Sequence, residues 1–125
     1  MKKEDLKIFH PITIKSMTMK NRLANAPFGC IPMGDKDGYI CDASLNNIKS
    51  LVSSDIGMLM CGIIRCLPDE NTFIGNDNKK LSESESPFAI ASMADDSYIP
   101  GWKRLADYAH SFGCSLVVQL GESGP

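Results

Sequence analysis

The chain is poor in the residues that usually announce a function. Its 125 residues include two histidines, one tryptophan and no pair of cysteines at C-x-x-C spacing. Cys61 and Cys66 are separated by four residues, and His10 and His110 lie far from both in sequence, so a zinc site is not expected and no metal ligand is assigned. An excess of charge of one sign is missing too. Thirteen basic and fifteen acidic side chains give a formal charge of −2, which leaves no electrostatic footprint for nucleic acid or an anionic membrane surface. No window approaches the roughly 18 consecutive apolar residues of a membrane-spanning helix. The charged opening, Met1 to Lys7, leads into no apolar segment of the secretory kind. Five cysteines, an odd number, are then expected as reduced thiols in a cytoplasmic protein, most of them acting as small buried hydrophobes.

The remaining composition is that of one ordinary globular unit: 43% hydrophobic and 22% charged. Ile12-Thr13-Ile14 and Met17-Thr18-Met19 alternate around Lys15-Ser16, which predicts a hairpin. Residues 22–26 form a short strand candidate stopped by Pro27. Residues 28–38 hold so many Gly, Pro and Asp residues that a loop is predicted. Asp42 is placed to cap a helix with Leu45, Ile48, Leu51 and Val52 on one face, ending near Asp55. The apolar run 57–64 suits a strand buried on both faces, and 114–120 suits a third strand of the same kind. Between them, residues 65–96 show little periodicity. A second helix is predicted from about Pro100, with Trp102, Leu105, Ala106 and Ala109 as its buried stripe and Gly113 as its stop. Asp95-Asp96 reads as solvated charge ahead of that helix.

Strands alternating with helices imply an α/β fold with right-handed crossovers and a parallel sheet. The carboxyl ends of parallel strands lie on one side. Pro27, the segment after Cys61, and Gln119 are therefore expected on a common rim, where α/β folds bind ligands.

Several stretches, taken in order, resemble the old yellow enzyme family of FMN oxidoreductases. They are His10-Pro11-Ile12, Met19-Lys20-Asn21-Arg22-Leu23, Ala26-Pro27-Phe28-Gly29 and Asp37-Gly38-Tyr39-Ile40, followed by Asp95 to Leu105 and Val118-Gln119-Leu120. The longer members similar to 2,4-dienoyl-CoA reductase are the nearest in feel. The resemblance implies a (β/α)₈ TIM barrel with an N-terminal hairpin across its bottom. A full barrel takes about 250 residues. The expectation is that residues 1–125 are the truncated N-terminal portion of a single FMN-binding barrel domain, comprising the hairpin and the first three strands.

The same resemblance implies that Ala26, Pro27, Phe28 and Gly29 lie against the flavin ring, with Gly62 and Gln119 also binding the cofactor. Local sequence offers blander readings: a turn that ends a strand at Pro27–Gly29, and a rim glutamine facing water at 119. Gln119 carries both donors and an acceptor, which matches the alternating edge of a flavin pyrimidine. Either Gly62 or Ile63 could stand where the family has a small residue. Cys30 falls one residue beyond the place where some members carry a redox-tuning cysteine, so that role is not transferred. Glu122 and Pro125 replace the His and Arg that commonly follow the strand-three glutamine.

For the complete enzyme the implied reaction passes hydride from NAD(P)H through FMN to a small-molecule α,β-unsaturated carbonyl. The catalytic residues, and any iron–sulfur cluster of the longer members, would lie beyond residue 125, and no catalytic residue is assigned. A homo-oligomer is left open. The alternative is a non-catalytic half-barrel, acting as an interaction module or standing as an inactive gene product.

Overall fold

The computed structural model describes Lys2 and residues 5–28, 32–66 and 89–121. Two short alternating segments open it, β1 (Ile12–Ile14) and β2 (Met17–Met19), paired antiparallel with Thr13 opposite Thr18. Their hydroxyls lie 2.9 Å apart, and Lys15 takes a positive φ of 53° to make the tight turn. A three-stranded parallel sheet follows, ordered β3 (Ala24–Asn25), β5 (Met58–Ile64) and β7 (Ser115–Leu120), with β5 in the middle. Helices α1 (Asp42–Val52) and α2 (Ile99–Ser111) connect these strands. The first strand is shorter than predicted. The Arg22 N–H leaves the sheet to reach the Ile8 carbonyl, and Pro27 has no N–H to offer a ladder.

The helices cover one face of the sheet. Leu59, Cys61 and Ile64 of β5 are fully buried there against Ile48 and Val52 of α1 and Leu105 and Ala109 of α2. Leu116 and Val118, in register with Leu59 and Cys61, pack on the same cluster. Fully burying such side chains contributes ~1.5–3 kcal/mol each, so this layer holds the domain together. The opposite face carries Met58 and Met60 with their partners Ser115 and Val117, all half-buried. The expectation of strands buried on both faces is thus corrected. An unbroken apolar run tells how much a strand could bury, and the partners decide how much it does bury.

Helix α1 begins one residue away from the predicted cap. Cys41 is the extended residue before it, and the Ser44 hydroxyl accepts the Cys41 N–H at 3.0 Å while donating to the Met33 carbonyl at 2.5 Å. Asp42 instead lies in the first turn and ion-pairs with Arg104 of α2. The helix stops at Val52, and the turn after it runs to Asp55, whose φ is 66°. In α2 the stripe is Trp102, Leu105 and Ala109, with Ala106 only half-buried. Gly113, at φ 65°, ends it as predicted. Asp95 accepts the Ser97 N–H at 2.8 Å, just ahead of the helix.

Residues 28–38, predicted as loop throughout, contribute a strand. β4 (Met33–Gly34) pairs antiparallel with β6 (Ala89–Ile90), inside the stretch 65–96 that showed no periodicity. Beside it Ser92 donates to the Gly38 carbonyl and Arg65 exchanges backbone bonds with Ala91 and Met93. The Trp102 indole clamps this linkage by donating to the Ser92 carbonyl at 2.7 Å. Two-residue strands are too short to show alternation, so their pairing leaves no pattern in sequence.

At the other end of the sheet, the segment leaving the hairpin is fastened to both helix ends. Lys20 Nζ donates to the Phe112 carbonyl after α2 at 2.8 Å and pairs with Asp55 at 3.1 Å. Buried Asn21 donates to the Asp55 carbonyl at 2.6 Å and accepts the Leu23 N–H at 3.0 Å. The family-like Lys-Asn pair therefore ties down the floor of the sheet. Among the described residues no helix is long and apolar enough to cross a membrane.

Candidate functional site

The carboxyl ends of β3, β5 and β7 meet around Gly62. A Cβ built on Gly62 would lie 2.7 Å from Gln119 Oε1, 2.8 Å from Gln119 Cβ and 3.1 Å from Pro27 Cβ. Pro27 and Gln119, 92 positions apart in the sequence, therefore flank the same glycine. The expected common rim is present, although β5 runs past Cys61 to Ile64 before leaving the sheet.

Local irregularity puts Gly62 there. In the β5–β7 ladder Cys61 pairs with Val118 and Ile64 with Leu120. Three steps along β5 thus match two along β7, a bulge across Gly62 and Ile63; the peptide joining these two residues is cis. Bulges re-aim side chains at barrel rims. Here Ile63 is turned outward, 51% exposed, while Cys61 and Ile64 on either side stay buried.

The candidate residues divide by exposure. Gln119 is exposed, and its amide makes no hydrogen bond within the described residues. Phe28 is 81% exposed, unusual for a large apolar side chain. Ala26 is exposed, and its carbonyl accepts the Asn25 amide at 2.8 Å. Pro27 is half-buried. Gly29 and Cys30 lie outside the described residues, as do Glu122 and Pro125. The rim thus offers an unused amide with two donors and an acceptor, a glycine that makes room for that side chain, and an uncovered aromatic ring.

Ile63, the alternative weighed beside Gly62, and Gly121, which sequence reasoning did not consider, also belong to the rim. Ile63 Cγ2 lies 2.5 Å from where a Cβ on Gly121 would be, so Gly121 leaves room for Ile63 just as Gly62 leaves room for Gln119. Glycines at two strand ends were the available signal. Two of the other cysteines are placed for packing. Cys61 and Cys114 are buried. Burial, with Cys114 nearby, pushes the Cys61 thiol up to about 12, and burial also raises Cys114. The Cys41 thiol, hydrogen-bonded by Ser44, is held below the usual range. Among the described residues no cluster of His, Cys, Asp or Glu is placed to hold a metal ion.

Comparisons with known proteins bear on the family and the fold. The family model described as NADH:flavin oxidoreductase / NADH oxidase matches residues 7–125. The chain belongs to that family. A relative from Bacillus subtilis (strain 168), described as a probable NADH-dependent flavin oxidoreductase YqiG, is 32% identical over 118 residues. That match takes in 94% of this chain and 27% of the relative, so the chain spans about a quarter of the protein it matches. Among solved structures, the old yellow enzyme from Pichia sp. AKU4542 superposes with a TM-score of 0.71 at 20% identity, over 96% of this chain and 27% of that one. A complex of 2-naphthoyl-CoA reductase with 2-naphthoyl-CoA gives 0.72 at 19%, over 94% of this chain and 16% of that one. These likenesses establish the fold: a hairpin followed by three strands of a (β/α)₈ barrel, matched over part of the barrel's length.

Proposed function

We propose that this chain carries part of the flavin-binding rim of an FMN-dependent oxidoreductase, with residues 1–125 acting as the N-terminal portion of one barrel domain. The convergence of Pro27, Gly62 and Gln119 is the observation that carries this reading. A flat heterocycle needs a rim whose side chains are held in place beside it, and Gly62 leaves the room in which Gln119 lies next to Pro27. It also needs complementary hydrogen bonds at its pyrimidine edge, and the unengaged Gln119 amide can both donate and accept. The backbone of Pro27–Gly29 and the exposed Phe28 would line the ring. When bound, FMN would supply hydride transfer from NADH or NADPH to the β-carbon of an α,β-unsaturated carbonyl. The residues of this chain would bind and orient the ring. Family membership supports the chemistry, and the relative named for NADH-dependent flavin oxidoreduction supports the nicotinamide.

A titration of the purified chain with FMN, followed by flavin absorbance and fluorescence together with solution mass, tests the proposal. Saturable binding that is weakened at least tenfold by Gln119→Ala is the expected result. Wild-type and variant chains that bind FMN equally, or an absence of binding by the wild type, would overturn it.

A further inference from the structure

Three features stand out besides the rim's overall chemistry: the buried thiols Cys61 and Cys114, the stacked Tyr39–Tyr98 pair, and two glycines, Gly62 and Gly121, each of which lies against a side chain of the other strand end. The thiols are sealed in the core, and the tyrosines are engaged with Ser97 and the Asp37 carbonyl. The glycines carry more.

We propose that Gly62 is a positioning residue, which fixes the Gln119 amide by leaving the only space its side chain occupies between β5 and Pro27. The Gln119 side chain lies folded across Gly62, with both its Cβ and its Oε1 closer than 3.0 Å to where a Cβ at 62 would lie. The 2.8 Å approach to Gln119 Cβ matters more than the 2.7 Å approach to Oε1. A flexible amide can swing aside, whereas a Cβ moves only with its strand. Pro27 Cβ, at 3.1 Å, closes the third side. Gly121 repeats the arrangement in reverse for Ile63, so that each strand end seats one side chain against a glycine of the other. Any residue larger than glycine at 62 must push Gln119 or Pro27 away from this position. This inference rests on the proposed flavin site, because it assigns to Gly62 an action through Gln119 in place of direct contact with the ring.

The test is a double-mutant cycle of Gly62→Ala and Gln119→Gly, read by FMN titration, joined to an NMR measurement on the flavin-free wild type. Gly62→Ala is expected to weaken FMN binding at least tenfold, and to have little further effect once Gln119→Gly has removed the amide. Equal losses in both backgrounds would overturn the proposal, since they would mean that Gly62 touches the ring itself. In the free wild type, nuclear Overhauser contacts from the Gln119 side chain to Gly62 Hα and Pro27 Hβ are expected. Their absence would overturn the proposal even if Gly62→Ala failed to fold. A wild type that shows these contacts and binds no FMN would remove the flavin reading while leaving the positioning claim supported.

Discussion

The two ends of the parallel sheet are built on opposite plans. At the floor, the side chains of Lys20 and Asn21 are engaged with partners: the Phe112 carbonyl, the Asp55 carbonyl and carboxylate, and the Leu23 N–H. At the rim, the Gln119 amide is unengaged within the described residues and Phe28 stands almost bare. Side chains at the floor serve stability, and side chains at the rim are left available. Barrels divide their ends in this way, with ligands at the carboxyl side of the strands. The division lets the two roles be broken separately.

The largest effect should come from the layer that both ends depend on. Leu59→Ala empties a fully buried site between the sheet and both helices and should cost ~2–5 kcal/mol. That is a large part of an ordinary domain's ~5–15 kcal/mol, so urea denaturation should show either a strongly lowered midpoint or no folded baseline. Next comes the floor. Asn21→Ala removes two part-buried hydrogen bonds, to the Asp55 carbonyl and from the Leu23 N–H, at ~0.5–1.5 kcal/mol each, and should lower the same midpoint. A floor variant as stable as wild type would erase the contrast between the ends.

Much of this was readable from local pattern. The hairpin and both helix stripes follow from periods of two and 3.6, and the two longer strands from unbroken apolar runs, which a few residues suffice to reveal. The rim was readable in part, since parallel strands must end together. What escaped depends on long-range geometry. The β4–β6 pair joins segments whose residues show no alternation. The cap of α1 fell to Cys41 in place of Asp42 because the Ser44 hydroxyl, and not a carboxylate, satisfies the first turn. The bulge at Gly62–Ile63 can be seen only when Cys61 and Ile64 are matched against Val118 and Leu120. One-sided burial of the sheet depends on which partners are present, and no strand's own sequence states that.

Titration probes the covered layer more gently. Cys61 in the unfolded chain ionises near the ordinary thiol value of 9.0, whereas in the fold burial holds its proton up to about 12. The unfolded state therefore gives up this proton first. The contribution is complete below pH 9 and is progressively lost between about pH 9 and 12. Denaturation midpoints should fall through that window, and Cys61→Ala should flatten the fall. Near neutral pH, alkylation followed by mass spectrometry should mark Cys41 well before Cys61 or Cys114, because the thiolate is the nucleophile and the core thiols are buried and neutral.

The smallest effect on stability should come from the residue that matters most to the proposed site. Gln119→Ala removes an exposed amide that makes no hydrogen bond within the described residues, so without FMN its unfolding free energy should stay within about 0.5 kcal/mol of wild type. Added FMN should separate the two proteins. A ligand at a hundred times its dissociation constant stabilises the folded state by ~2.7 kcal/mol, a gain the wild type should show and the variant should largely lose. If Gln119→Ala were instead as damaging as Asn21→Ala without any flavin, the glutamine would be a structural fastening like those at the floor, and the rim would have no claim to be a site.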